Sequence, residues 1–358
     1  MAGISGSWIF PMPFFMAFSR TMSIWLNQRI FLMSSSLICI LKKSLHGLKQ
    51  APKALLDSFV VVLSKELSMK ELGPLHYFLG IECCRYFISI LHTQQKYAFQ
   101  LLQKADMLTC SYTSTLVAEG PRLSLYNGDP LDDAGFYISL VGGLQYLTLT
   151  RPDLCFSVNY VSQFMHAPNT SHLQLVKRIL RYVKGSICSG ITFFAGPCDI
   201  LTAYSDSDWA GCPDTRKFTS GYCIYLGNSL VSRATKKQPT ISLSSTEAEY
   251  KSLALTNAEL LWISYLLKLM HITESKSVTL YCDNIGANIL AINPVFHART
   301  KHVEINYRCT HDLVEDGFLK LAYVPSQHQL ANVFTKELGV VQFHSCVCKL
   351  MHFVESLA

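Results

Sequence analysis

Short β-type runs alternate with longer helical runs between about residues 199 and 335, and this order constrains the fold more than any other feature of the chain. The residue pattern predicts strands at 201–205, 218–226, 230–234, 278–282 and 319–324. It predicts helices at about 247–270, 285–292, 302–315 and 329–335. Alternation of this kind is typical of an α/β protein in which helices flank a mixed sheet.

Acidic residues stand at the ends of two of these strands and at the start of the long helix. Asp206 and Asp208 follow the first strand two positions apart, so both carboxylates are expected on one face. Asp283 follows the fourth strand, and Glu247 and Glu249 open the helix. Carboxylates that converge in this way could hold hydrated Mg²⁺, the arrangement used in two-metal phosphodiester chemistry. For the first pair taken alone, a polar turn after a strand is the alternative.

Several motifs follow one another in this part of the chain: Y-S-D-S-D-W-A-G, S-S-T-E-A-E-Y, Y-C-D-N, N-P-V-F-H-A-R-T-K-H-V-E-I and Q-L-A-N-V-F-T-K. Upstream stand K-S-L-H-G-L-K-Q-A-P, E-L-G-P-L-H-Y-F-L-G-I-E and L-Q-Y-L-T-L-T-R-P-D-L. Together they resemble the reverse transcriptase, connection and ribonuclease H segments of a copia-type retrotransposon Pol polyprotein. The resemblance covers about residues 43–351 and implies an intracellular mobile-element protein, cytoplasmic or nuclear. It also implies a ribonuclease H-like mixed five-stranded sheet flanked by helices, preceded by an incomplete reverse transcriptase palm and thumb and by a helical connection.

The resemblance implies metal-ligand roles for three acidic positions. Asp206 would be the first ligand, bridging two Mg²⁺ or Mn²⁺ ions, and Asp283 the third. The second ligand falls on Glu247 or Glu249, and both remain open at this stage. Thr246 and Glu249 have the spacing of a capping box, which favours Glu249.

The fourth carboxylate of the family is replaced here by Asn332. Its carbonyl oxygen could still bind a metal-bound water, but it brings no negative charge, so weaker binding of the second ion and slower turnover are expected. If the unit is active, it would cleave the RNA strand of an RNA–DNA hybrid and recognise that strand through its 2′-hydroxyl groups. The alternative is a catalytically decayed remnant that at most binds nucleic acid. No feature supports a third reading, a host-recruited interaction protein.

Basic and titratable side chains in three regions are candidates for contact with nucleic acid, and a merely solvated surface is the alternative for each. One group lies between the third carboxylate and the last helix and could instead assist product release: His297, Arg299, Lys301 and His302. A second lies before the long helix: Lys236 and Lys237. A third lies on a predicted helix and is spaced so that three members can share a face: Lys177, Arg178, Arg181 and Lys184. Trp209 is expected to pack against the protein rather than stack on a base.

Composition limits the remaining possibilities. The chain has 358 residues, enough for two or three compact units, and its 49% hydrophobic content argues against disorder. A net charge of +6 is compatible with a polyanionic partner but does not imply one. The 13 cysteines include no C-x-x-C pair, so structural zinc is not expected and the thiols fit a reducing compartment. Apolar runs near the N-terminus fall short of the roughly 20 residues that a membrane-spanning helix needs.

The chain divides by sequence into five segments. Residues 1–42 have no counterpart in the family and are expected to be unstructured or out of frame. Residues 43–125 resemble a truncated palm and thumb that lacks the Asp-Asp hairpin, so no polymerase activity is expected. Residues 126–198 form the helical connection, 199–340 the ribonuclease H-like domain and 341–358 a tail.

Local patterns refine the upstream part. Paired strands are expected within 76–90, and a helix at 94–107. Residues 120–133 are rich in Gly, Pro, Asp and Asn and are predicted to form a linker. Helices are predicted at 136–149, 154–165 and 172–183.

Overall fold

The structure is a computed structural model that describes residues 76–116, 122–196, 199–269, 272, 277–292 and 304–351. The predictions for residues 1–42 and for His297, Arg299, Lys301 and His302 lie outside these ranges. The chain divides into two units, residues 1–74 with 265–273 and residues 75–264 with 274–358. In the first unit, the described residues are 265–269 and Ile272, whose N–H donates to the Leu267 carbonyl at 2.9 Å. Both sheets and the acidic residues of interest belong to the second unit.

A small antiparallel sheet opens the described part of the chain. Its strands, in spatial order, are β1 (Tyr77–Phe78), β2 (Ile81–Arg85), β3 (Ser89–Thr93) and β4 (Ile191–Phe194). The first three confirm the paired strands expected near 76–90, and helix α1 (Gln95–Lys104) follows them. Because β4 comes from the predicted connection, the predicted palm and thumb remnant and the connection share one sheet.

Three helices follow, as the apolar spacing predicts. They are α2 (Ala134–Leu147), α3 (Cys155–Ser162) and α4 (Thr170–Gly185). A 3₁₀ turn at Pro152–Leu154 precedes α3, so the predicted second helix begins irregularly. A buried ion pair accompanies this turn: Arg151 Nη2 lies 2.7 Å from Asp153 Oδ2 and also donates to Ser186 Oγ at 2.7 Å.

The second sheet confirms the α/β fold class. Its strands are β5 (Leu201–Asp208), β6 (Thr219–Leu226), β7 (Ser229–Lys237), β8 (Val278–Cys282) and β9 (Leu319–Tyr323). Their spatial order is β7-β6-β5-β8-β9. The pairs on the β7 side are antiparallel, and those joining β5, β8 and β9 are parallel, so the sheet is mixed.

Helices and short turns accompany this sheet. The helices are α5 (Ser245–Leu269), α6 (Ile285–Ile292), α7 (Glu304–Glu315) and α8 (Val340–Leu350). The helix predicted at 329–335 is instead a pair of 3₁₀ turns, Ser326–His328 and Leu330–Phe334. Helix α8 occupies the segment predicted to be a tail. Across the described ranges, no helix has both the length and the apolar character needed to cross a membrane.

The connection helices and the second sheet share one hydrophobic core. Its members come from both sides of the predicted boundary at 198/199, for example Leu144, Val176, Leu180, Tyr225, Phe334 and Val347. The rings of Tyr182 on α4 and Phe343 on α8 meet edge to face with centroids 5.7 Å apart. Because burial of apolar surface is the main stabilising term, neither region is expected to be stable without the other.

The predicted linker at 120–133 is not a free connection over its described part. Arg122 Nη1 lies 2.5 Å from Asp208 Oδ2 at the end of β5 and donates to the Gly211 carbonyl at 2.7 Å. The Leu125 N–H donates to Asp214 Oδ2 at 3.0 Å. These bonds attach the segment to the loop after β5.

Candidate metal centre and nucleic-acid contacts

Asp206 lies inside a strand rather than after one. Strand β5 continues to Asp208, three residues beyond the predicted end, and Asp206 pairs in register with Gly221 of β6. The side chain of Asp206 is only 1% exposed. Its Oδ2 accepts a hydrogen bond from the Thr335 hydroxyl, and its Oδ1 lies 3.3 Å from the Lys336 ammonium.

Glu249 reaches the same place from helix α5. Ser252 lies one turn further along the helix, where its hydroxyl donates to the Asp206 carbonyl at 2.8 Å. Glu249 shares this buried face, and its Oε1 accepts from the Ser207 N–H at 3.1 Å. The helix is therefore attached to β5 by two polar contacts, and these contacts position the Glu249 carboxylate beside Asp206.

Glu247 takes a different role, and the predicted capping box is wrong. The Glu247 N–H donates to the Ser244 hydroxyl at 3.1 Å, so the cap is at Ser244 and not at Thr246. Glu247 accepts from the Leu243 N–H at 2.8 Å and forms an ion pair with Lys251, also at 2.8 Å. Since residues two apart on a helix point in different directions, only Glu249 can face the sheet.

Asp283 completes the group from the end of β8. One potential ligand atom from each of Glu249, Cys282 and Asp283 lies within 4.8 Å of the others. Asp283 is partly exposed, whereas Asp206 and Glu249 are buried, so solvent reaches the group from the Asp283 side. The charges of Asp206 and Asp283 both act on Glu249, so the three acidic residues predicted as metal ligands lie near one another.

The carboxylates in this group repel one another when they are ionised. Burial, followed by the neighbouring charges of Asp206 and Asp283, raises the pKa of Glu249 well above its usual value. Burial also raises the pKa of Asp206, although the Lys336 charge acts in the opposite direction. Cys282, whose thiol donates weakly to Glu249 Oε2 at 3.9 Å, has a pKa raised by burial and remains neutral. Converging buried carboxylates are unfavourable unless protons or cations compensate them.

The donor set suits a hard divalent cation. Carboxylate oxygens from three chain segments are the ligands that Mg²⁺ and Mn²⁺ prefer. Asp206 and Glu249 are already held in place by Thr335 and by the Ser207 N–H. Each of their oxygens keeps a lone pair that these bonds do not use, so an ion could bind them without unfolding the site.

Asn332 does not contact this group through any hydrogen bond found in the described part of the chain. Its Nδ2 donates to the Ser326 carbonyl at 2.8 Å, while its Oδ1 is buried without a hydrogen-bond partner. Its backbone carbonyl accepts from the N–H groups of Thr335 and Lys336, at 3.2 and 3.1 Å. Asn332 thus shapes the turn that carries both residues to Asp206, and its predicted contact with a metal-bound water stays a prediction.

Sequence reasoning missed three residues of the Q-L-A-N-V-F-T-K segment. Gln329 Nε2 donates to the Ser205 carbonyl at 2.9 Å and to the Tyr281 carbonyl at 3.5 Å. The last paired residues of β5 and β8 are Tyr204 and Tyr281, and Ser205 follows Tyr204 directly. Gln329 therefore bridges the two strands at the point where their pairing ends. Thr335 and Lys336 then bind Asp206. The signal was available, because a hydroxyl and an ammonium at the end of this motif suit a buried carboxylate.

Asp208 and Trp209 lie beside the group but have other partners. Asp208 is paired with Arg122, whose Nε also lies 3.8 Å from a Glu337 oxygen. Trp209 Nε1 donates to the Ser242 carbonyl at 2.9 Å, and the side chain is 48% exposed. The indole is thus attached to the protein at one edge, as packing requires, and its remaining surface is open.

The predicted nucleic-acid contacts separate into exposed and engaged cations. Lys177 and Arg181 are exposed on α4 and lie one turn apart, and Lys236 is exposed at the end of β7. Three others bind the protein itself: Lys237, Arg178 and Lys184. Lys237 donates to Gln163 at 2.7 Å and to Cys212 Sγ at 2.9 Å. Arg178 donates to the Thr115 hydroxyl at 2.8 Å, and Lys184 donates to the Cys110 carbonyl.

The retrovirus-related Pol polyprotein from transposon RE1 of Arabidopsis thaliana is 38% identical over 87% of this chain and 25% of its own length. The chain therefore spans a quarter of that polyprotein. The uncharacterized mitochondrial protein AtMg00810 of Arabidopsis thaliana is 47% identical over 59% of this chain and 87% of its own length. No protein-family model matches the chain.

Among solved structures, RNase H1 from the halophilic archaeon Halobacterium salinarum NRC-1 shares 13% identity with this chain. The match covers 38% of this chain and 93% of that protein, with a TM-score of 0.29.

Proposed function

Because this chain belongs to the retrovirus-related Pol polyproteins of copia-type transposons, we propose that its ribonuclease H-like unit hydrolyses the RNA strand of RNA–DNA hybrids. The observation that carries the proposal is that Glu249 and Asp283 offer ligand atoms within 4.8 Å of each other, while the charge of Asp206 on β5 also acts on Glu249. Such a group of carboxylates is unfavourable in a protein interior unless cations or protons compensate its charge, and groups of this kind are often functional sites.

The chain's own residues would hold and orient the reacting groups. Asp206, Glu249 and Asp283 would bind Mg²⁺ or Mn²⁺, two ions as the sequence predicts. Bound ions would supply a nucleophile from water at neutral pH and would stabilise charge on the leaving oxygen. Thr335 and the Ser207 N–H keep two of the carboxylates in fixed positions, which avoids reorganisation when the substrate arrives.

Exposed cations would bind the nucleic acid. Lys177 and Arg181 on α4 and Lys236 on β7 have charges free to contact phosphates, and the chain carries a net charge of +6. Preference for the RNA strand would come from contacts with its 2′-hydroxyl groups. The proposal includes no polymerase activity.

A second candidate function is favoured by one observation. The position of the family's fourth carboxylate holds Asn332, whose amide is bonded to the Ser326 carbonyl. A centre that lacks this charge would bind a second ion weakly. On this reading the chain binds hybrids but does not cleave them.

Cleavage of a labelled RNA–DNA hybrid by the full chain, in Mg²⁺ and in Mn²⁺, tests the proposal. We expect cleavage of the RNA strand only, and a loss of roughly 100-fold or more in Asp206→Asn and Asp283→Asn, since each removes a ligand charge. Asp132→Asn, which changes an exposed acid outside the group, should cleave like the unaltered chain. No cleavage by a chain that is folded and binds the hybrid would favour the second candidate.

A further inference from the structure

Lys336 supplies the cation nearest to Asp206 in the described part of the chain. Its ammonium lies 3.3 Å from Asp206 Oδ1, and its side chain is 31% exposed. The charges of Asp206, Asp283 and Glu249 all act on it. A lysine on the outer surface would have water as its main partner, whereas this one is directed into the acidic group.

The position of Lys336 is determined by the backbone. The Lys336 N–H and the Thr335 N–H both donate to the Asn332 carbonyl. These two hydrogen bonds fix the backbone of both residues at the end of the 3₁₀ turn. The Thr335 hydroxyl occupies the other oxygen of Asp206. The Lys336 backbone is therefore held in place, and only the flexible side chain has to move for the ammonium to leave Asp206.

The charges indicate what this cation does. With metal bound, Asp206, Glu249 and Asp283 would carry three negative charges, and Lys336, 3.3 Å from Asp206, would offset one of them. One divalent cation neutralises the remainder, whereas a second would leave the centre positive. A fourth carboxylate would have reduced that excess positive charge, but Asn332 is neutral.

We propose that Lys336 takes the place of the second divalent cation in the nucleic-acid-free chain, so that without nucleic acid this chain binds one metal ion and not two. This inference rests on the proposed function, because it concerns the same three carboxylates. A second ion would join only when a substrate phosphate adds negative charge. Lys336 is then a positioning residue that sets the order in which metal and substrate bind.

Isothermal titration of the chelator-treated full chain with MnCl₂ and MgCl₂, without nucleic acid, tests the inference. We expect one ion per unaltered chain. Lys336→Met removes the charge, and it should bind the ion about tenfold more tightly or accept a second one. Lys336→Arg keeps the charge and should behave like the unaltered chain. Lys320→Met is the matched control, since it removes an exposed lysine from β9, outside the acidic group.

The outcomes separate the inference from the proposed function. Two ions of similar affinity in the unaltered chain would overturn the inference and leave the proposed function standing. Metal affinity and stoichiometry that stay unchanged in Lys336→Met would overturn it as well. If Lys336→Met does not fold, Lys336→Gln gives the same test, because Gln lacks the charge but keeps a hydrogen-bond donor for Asp206. No binding by the folded chain would overturn the inference and the metal chemistry together. One ion with the expected dependence on Lys336, but no hybrid cleavage, would support the inference and remove the proposed function.

Discussion

At the scale of single residues, Cys212 and Lys237 show how a local contact changes reactivity. Cys212 lies in a cavity lined also by Arg122, Phe156 and Asp214. Although burial opposes it, the hydrogen bond from Lys237 lowers the pKa of the Cys212 thiol. A lowered thiol pKa increases the thiolate fraction, which is the form that reacts with alkylating reagents.

The first prediction is that Lys237→Met slows alkylation of Cys212 by iodoacetamide at pH 7, by about threefold to tenfold. The reason is that the variant loses the ammonium that stabilises the thiolate, so the reaction should need a higher pH. Peptide mass spectrometry of timed samples measures the rate. Cys84 is exposed and serves as the internal control in the same digest. If Cys212 reacts equally fast in both chains across pH 6 to 9, the contact with Lys237 does not activate the thiol.

Also at this scale, His92 gives a dependence of stability on pH. Burial lowers the pKa of His92 to about 4, and its Nε2 has no hydrogen-bond partner. The unfolded chain binds a proton here near its ordinary pKa of 6.5, so the folded state loses stability as the pH falls from that value toward 4. Above the unfolded-state pKa this contribution is fully present.

The second prediction follows from that sign. His92→Phe keeps an aromatic ring against Phe193. Between pH 7 and pH 4, its free energy of unfolding should fall by up to about 3 kcal/mol less than that of the unaltered chain. Urea denaturation at several pH values measures this. His344→Phe changes a different histidine and is the comparison. Parallel pH profiles for His92→Phe and the unaltered chain would show that His92 does not titrate as described.

At the scale of elements, the contact between β6 and the second 3₁₀ turn positions the acidic group. Gly221 pairs with Asp206 in register. A Cβ at Gly221 would lie 2.7 Å from Phe334 Cβ and 2.7 Å from Thr335 Cγ2, and both atoms are close to backbone. Glycine at this position therefore lets the turn approach the sheet closely enough for Thr335 and Lys336 to bind Asp206.

The third prediction is that Gly221→Ala lowers the free energy of unfolding by about 1–3 kcal/mol, because the added methyl group forces the turn outward. Gly142→Ala is the matched control. A Cβ at Gly142 meets nothing within 4 Å, and in a helix Ala is preferred to Gly, so this change should be neutral or stabilising by up to about 1 kcal/mol. Urea denaturation of the variants gives both values. Equal midpoints for Gly221→Ala and the unaltered chain would contradict the close approach.

At the scale of the whole molecule, the second unit is expected to unfold as one. Helices from the predicted connection and strands from the predicted ribonuclease H-like domain contribute to a single core. Leu180 on α4 is fully buried in it. Two regions that share a core lose their stability together.

The fourth prediction is that Leu180→Ala costs about 2–5 kcal/mol, because it leaves a cavity in this core. Native-state hydrogen exchange should show protection falling together in α4 and β6. Leu243→Ala, at a position 78% exposed, should change stability by less than about 0.5 kcal/mol. If α4 loses protection while β6 keeps it, the two regions are separate folding units.

The sequence by itself determined the fold class, the strands of the second sheet and the three acidic ligand candidates. Hydrophobic spacing and motif order are local properties that survive without coordinates. Glu249 does lie beside Asp206, but the capping box that favoured it is absent, since the cap lies at Ser244. The linker, the tail and the separate domains were also inferred locally, from turn residues and from the limits of the family motifs. In the structure these are a segment bonded to the loop after β5, helix α8 and regions that share one core.

Only the tertiary structure decided which charges meet. Lys336 is 130 residues away from Asp206 along the chain, and no local pattern specifies that contact. Lys237 and Arg178 look like free cations in sequence, but they bind Cys212 and Thr115 in the fold. The physical reason is that periodicity reports which face of an element is buried, whereas the partner on that face depends on how distant elements pack.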